Sequence, residues 1–172
     1  MKQILFVCTG NTCRSCMAEA VFNHIVSNDD GLSGNFSASS SGIAAFEGDT
    51  ASENAISVMK KRMGIDLSNH RARKVDKEQI EKADLILTMT KSQKNALISI
   101  YSEAAGKVFT LKEFAAESKC EDGSEPENHT DVNDNDTDIV DPFGMPIEVY
   151  ESCAEEIEKA VRSLISRLKS DI

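Results

Sequence analysis

No stretch of this chain stays apolar for the roughly eighteen residues that mark a membrane-spanning helix. Nor does it begin like an exported protein. Met1-Lys2-Gln3 leads straight into a strand-like run ending at Cys8, too short for the apolar core of a signal peptide, and no small-residue cleavage site follows. Basic residues are scarce: 19 lysines and arginines face 29 aspartates and glutamates, giving a formal net charge of −10. That balance argues against nucleic acid and against a membrane surface as partners. The cysteines Cys8, Cys13, Cys16, Cys120 and Cys153 are odd in number. Without an export signal they point to a reducing cytoplasm rather than a disulfide framework. No internal repeat is visible. A length of 172 residues suits one domain, residues 1–172, with a substantial core.

What the chain does have is concentrated near its start. Ile4-Leu5-Phe6-Val7 runs into Cys8-Thr9-Gly10-Asn11-Thr12-Cys13-Arg14-Ser15. Met17, Ala18, Val21, Phe22 and Ile25 then share one helical face. The stretch therefore reads as a buried strand over 4–8, a tight loop and a helix over 15–27. The first N–H groups of a helix lack partners and its dipole is positive there, so backbone alone makes an anion site. A turn of successive N–H groups wraps an anion in the same way. Five residues between Cys8 and Arg14 suffice for one loop around a tetrahedral anion, lined by Thr9, Gly10, Asn11, Thr12 and Cys13. Arg14 adds a planar fork for two phosphate oxygens. Gly10 permits close approach or positive φ, and Asn11 tolerates a left-handed conformation. Cys8 lies where a helix end and a cation favour thiolate, and Ser15 can donate a hydrogen bond to its sulfur. The pattern predicts a thiolate nucleophile beneath a phosphate. A core cysteine beside a surface arginine is the plainer explanation of the bare spacing; the preceding strand and following helix favour the functional one.

Further along, Phe36–Ser41 reads as a weak strand. A helix start with its cap at Thr50 leads to a stop near Gly64. A short helix over 76–82 precedes a second buried strand within 83–90. A helix over 92–101, a short strand over 108–111 and a long amphipathic helix over 148–170 follow. The long helix carries Val149, Cys153, Ile157, Ala160, Val161, Leu164, Ile165 and Leu168 as its apolar stripe. Alternating strands and helices predict an α/β fold, a parallel sheet covered on both faces. In such sheets ligands sit beyond the carboxyl ends of the strands, where the Cys8 loop lies. Glu117 to Asp138 holds nine acidic residues and one lysine, and reads as a solvated insert loop. Its run Asp131–Asp136 lacks the glycine and terminal glutamate of a calcium loop, so no metal is expected. Directly after it, Asp141-Pro142 holds a carboxylic acid on restricted backbone. An acid over the phosphate can protonate a basic leaving group, then deprotonate the water that cleaves a thiophosphate.

Together these residues resemble the low-molecular-weight protein tyrosine phosphatases. Cys8-x5-Arg14-Ser15 and Asp141-Pro142 carry the likeness. It extends through Met17-Ala18-Glu19-Ala20, Ser40-Ser41-Gly42, His70-Arg71-Ala72-Arg73 and Ala83-Asp84-Leu85-Ile86-Leu87. The resemblance implies a four-stranded parallel sheet flanked by helices, a cysteinyl-phosphate mechanism with catalytic Cys8, Arg14 and Asp141, no cofactor, and phosphorylated proteins as partners. It also implies that Asn11 holds the loop, with Ser41 and His70 supporting it by hydrogen bonds. Within the family the chain looks most like the bacterial protein-arginine phosphatases, which carry threonine where isoleucine is usual, here Thr12. Phe143 is followed by Gly144 rather than by a second aromatic residue, and the chain has no tryptophan. That suggests a cleft with one aromatic wall. Cys16 departs from the family, standing where proline is usual.

Phosphoarginine hydrolysis is the leading expectation, with tyrosine phosphatase as the alternative. An arsenate reductase of the same fold needs a cysteine relay, and residues 83–100 contain no cysteine. A non-catalytic phosphate-binding or redox module is opposed by the intact Cys8, Arg14 and Asp141. Substrate proteins and oligomeric state stay open, with a monomer as the default.

Overall fold

The computed structural model describes residues 1–116 and 137–170. The insert loop expected at 117–138, calcium-like run included, therefore lies outside the described residues except at its last two positions. The elements follow in the order β1 (Lys2–Cys8), α1 (Arg14–Ser27), β2 (Phe36–Gly42), α2 (Glu53–Met63), α3 (Lys77–Lys82), β3 (Leu85–Thr88), α4 (Lys91–Ile100), β4 (Val108–Thr110), α5 (Leu111–Ala116) and α6 (Ile147–Ser170). The strands form one parallel sheet in the order β2-β1-β3-β4. This is the expected α/β sheet flanked by helices.

The two-residue period of β1 divides the core. Ile4, Phe6 and Cys8 face a cluster that includes Met17 and Phe22 of α1 and Ile157, Val161 and Leu164 of α6. Leu5 and Val7 face a smaller cluster with Ile80 of α3 and Leu97 of α4. β1 is thus buried on both faces, which explains why it reads as an unbroken apolar run. Among the described residues no helix is long and apolar enough to cross a membrane.

Three local expectations are corrected. Ser52, not Thr50, caps α2: its side chain accepts from Ala55 N, while Gly64 ends the helix at φ +69°. The chain is still extended at Ser52 (φ −62°, ψ 146°), where its N–H donates to Thr12 O at 2.9 Å. Leu111 opens α5 rather than closing a strand. Thr110 N donates to Glu113 Oε2, and Glu113 N to Thr110 Oγ1, each at 3.1 Å, which makes a capping box. Near the start of α6, Tyr150 is buried at the position the apolar pattern gave to Val149.

Candidate active site

The loop after β1 turns sharply into α1. Asn11 takes the turn at φ +57°. The left-handed residue is therefore Asn11 and not Gly10, whose added Cβ would meet only Thr12 Oγ1, at 3.7 Å. Gly42, at the end of β2, is the glycine that close packing requires. A Cβ there would lie 2.6 Å from Thr9 O and 2.9 Å from Asn11 N.

The buried Asn11 side chain holds the loop from behind. Its Nδ2 donates to Ser15 Oγ at 2.9 Å and to Ser40 Oγ at 2.8 Å, and its Oδ1 accepts from Arg73 N at 2.9 Å. Its carbonyl oxygen lies 2.7 Å from His70 Nε2, the contact expected of His70. Because Ser15 Oγ accepts from Asn11, its own proton is available to Cys8 Sγ, 2.9 Å away. Asn11 N lies 3.2 Å from the same sulfur. The supporting role assigned to Ser41 belongs to the side chain of Ser40. On β2, Ser40 pairs with Phe6 and Ser41 with Val7, so the two hydroxyls leave opposite faces of the sheet. Ser41 Oγ meets no polar partner among the described residues; its carbonyl oxygen lies 3.4 Å from Ser15 Oγ, the more distant of two acceptors within reach of that one proton.

No side chain caps α1 and no acid lies in its first turn, which leaves that positive end to an anion. Arg14, almost fully buried, donates from Nη1 to Ile139 O at 2.9 Å and sets Nη2 3.1 Å from Asp141 Oδ2. Ile139 N in turn donates to Met89 O at 2.8 Å, anchoring the acid's segment to the end of β3. Asp141 Oδ1 accepts from Phe143 N at 3.2 Å. Cys8, Arg14 and Asp141, singled out in the sequence, thus line one cleft of about 240 Å³, with Thr9, Gly10, Thr12, Cys13 and Phe143.

Four contributors were missed. Gln93 of α4 donates to Thr9 Oγ1 at 3.0 Å and accepts from Met89 N and Thr90 N. Glu19 accepts from Ser40 Oγ, and burial pushes its carboxyl above the ordinary range against the pull of Ser40, His70 and Arg73. Phe46 and Asp49 line the cleft from the loop after β2. Phe46 is 77 % exposed and Phe143 70 %, so the cleft has a second aromatic wall that was not expected. That β2 ends beside β1 in a parallel sheet was the available signal, since loops at neighbouring carboxyl ends share a site. The other thiols serve differently. Cys13 Sγ lies 3.4 Å from both Ser52 Oγ and Tyr150 OH. Burial raises Cys16 well above the usual thiol range and Cys153 to about 12.

A buried sulfur, a buried arginine and the carboxyl of Asp141 thus meet beside a helix start that no side chain caps, at the carboxyl end of a parallel α/β sheet. The comparisons agree. Residues 3–172 match the family model described as low molecular weight phosphotyrosine protein phosphatase. A protein-arginine-phosphatase of Geobacillus stearothermophilus is 38 % identical over 98 % of this chain and 97 % of its own. A solved low molecular weight protein tyrosine phosphatase from T. tengcongensis is 43 % identical, with a TM-score of 0.80 over 97 % of this chain and 99 % of its own. A solved arginine phosphatase, described as a cysteine-to-serine mutant with a phosphorylated active-site serine, is 35 % identical. It has a TM-score of 0.80 over 98 % of this chain and 97 % of its own. The chain belongs to the low-molecular-weight protein tyrosine phosphatase family, and it is a phosphatase.

Proposed function

We propose that this phosphatase hydrolyses phosphoarginine in proteins through a cysteinyl-phosphate intermediate. The phosphate enters the loop, held by the backbone N–H groups, the start of α1 and the Arg14 fork. Cys8 Sγ attacks phosphorus as the P–N bond to the guanidino group breaks. The Asp141 carboxyl gives its proton to the departing nitrogen. That proton matters because a free guanidine is a strong base, with a conjugate acid above ~12. Asp141 then takes a proton from water, the oxygen attacks phosphorus, the S–P bond breaks and inorganic phosphate leaves. Ser15, turned toward sulfur by Asn11, stabilises the thiolate before attack and after departure. The phosphorylated active-site serine of the solved relative supports the view that the residue at this position receives the phosphoryl group.

Thr12 carries the choice of substrate. It lines the cleft, and among the described residues its hydroxyl has no nearer polar partner than Cys13 Sγ at 3.7 Å. A hydroxyl there can accept an N–H of a guanidino group, whereas isoleucine would leave that donor buried without a partner. The cost is about 1–3 kcal/mol, or roughly 5- to 150-fold in discrimination. A second reading, phosphotyrosine hydrolysis, draws on Phe46 and Phe143, two aromatic walls able to flank a phenol ring. The ratio of kcat/KM on phosphoarginine and phosphotyrosine peptides decides, measured for the native chain and Thr12→Ile. Phosphoarginine should be preferred by the native chain, and the ratio should fall in the variant. A ratio that favours phosphotyrosine and does not move with Thr12 overturns the proposal.

A further inference from the structure

Among the described residues two carboxylates line a cleft whose task is to bind a dianion, and only one is accounted for. Asp141 meets Arg14 and reaches the leaving group. Asp49 is exposed and meets no cation among the described residues. In a site that bound only the phosphate, its charge would oppose binding.

Its backbone is fixed. Ile43 N donates to Cys8 O and Ala44 N to Thr9 O, each at 2.9 Å, so the loop after β2 is stitched to the phosphate loop. Gly48 N donates to Ala72 O at 2.9 Å, and Ala72 N to Asp49 O at 2.7 Å. Gly48 makes the turn at φ +87°. Ser52 N closes the far end on Thr12 O. Phe46 and Asp49 therefore stand on a wall clamped to the nucleophile's own loop. An aromatic face beside a carboxylate is the arrangement that receives a flat guanidinium: the ring accepts its face and the carboxylate its in-plane N–H groups.

We propose that Asp49 is a specificity-determining residue, its carboxylate accepting N–H groups of the arginine side chain that carries the phosphate, with Phe46 beside it. The inference rests on the phosphoarginine reading and deepens it. It explains a charge that a phosphotyrosine site has no use for, and it separates two tasks: Asp141 delivers the proton, and Asp49 selects the group that receives it.

The test is kcat/KM of the native protein and of Asp49→Asn on matched phosphoarginine and phosphotyrosine peptides, with thermal unfolding of both proteins as control. Asparagine keeps the size of aspartate and removes its charge. Because Asp49 is exposed to solvent, the expected loss on phosphoarginine is about tenfold, mainly in KM. Activity on phosphotyrosine should hold or rise, and the unfolding temperature should not move. Equal changes on both substrates, or no change on phosphoarginine, would overturn the role of Asp49. Failure of the native protein to hydrolyse phosphoarginine would instead overturn the reading beneath it, so the two failures are told apart.

Discussion

Replacing Asn11 by alanine removes three hydrogen bonds at once: the buried pair from Nδ2 to Ser15 and Ser40 and the half-buried one from Arg73 N to Oδ1. At about 0.5–1.5 kcal/mol each, they contribute about 1.5–4.5 kcal/mol together. Alanine must also hold φ at +57°, which asparagine tolerates better, for a further cost of about 1 kcal/mol. A total near 4 kcal/mol should lower the unfolding temperature by about 8–16 °C in a chain of this size. Asn11→Asp tests the same contacts with a second side chain. Aspartate keeps the oxygen that Arg73 N needs and accepts the left-handed turn, but it has no N–H to fix Ser15 and it places a carboxylate where no solvent reaches. It should also lose stability, and kcat/KM should fall for both, because Ser15 is no longer held with its proton toward Cys8. Melting curves and steady-state kinetics on the three proteins measure this. An Asn11→Ala protein melting within about 3 °C of the native one, with kcat/KM intact, would refute the claim that this side chain holds the loop.

Gly42→Ala places a methyl group against backbone of the phosphate loop, so it should cost about 1–3 kcal/mol and disturb the Cys8 loop; unchanged stability and kcat/KM in denaturant titration and kinetics would contradict the packing. Glu19 is held above the ordinary carboxyl range chiefly by burial, so the folded protein binds its proton more tightly than the unfolded chain. Stability is then greatest below the ordinary glutamate value and falls as pH rises from there through the raised folded value. Glu19→Gln, which keeps an oxygen for Ser40, should flatten that fall in urea titrations at a series of pH values; an unaltered slope would reject it. Asp141→Asn should slow turnover of phosphoarginine by roughly 10²- to 10⁴-fold and of an activated aryl phosphate by much less, while equal losses would reduce Asp141 to a positioning role.

Legibility in the sequence followed the physics of each segment. β1, its loop and α1 were readable because a doubly buried strand is an unbroken apolar run and a thiol and an arginine mark the loop's ends. Asp141 was readable because the following proline restricts it. Phe46 and Asp49 were not: they are exposed residues of an irregular loop, and no periodicity distinguishes them from solvent-facing neighbours. Ser40 and Ser41 are chemically alike, and only the register of β2 on β1 decides which hydroxyl faces Asn11. The box Thr110-x-x-Glu113 did announce α5, but an apolar run reaching Leu111 looked like the end of a strand. Glu19 carried no signal of its own, since on α1 it reads as one more surface acid until Ser40 and burial are seen.

The most direct test of the account is rapid acid quench of the native protein turning over a phosphoarginine peptide, followed by peptide mapping. The account predicts a phosphoryl group on Cys8 and on no other cysteine. Phosphate on Cys13, or turnover of the peptide with no phosphorylated residue in the loop at any quench time, would contradict it.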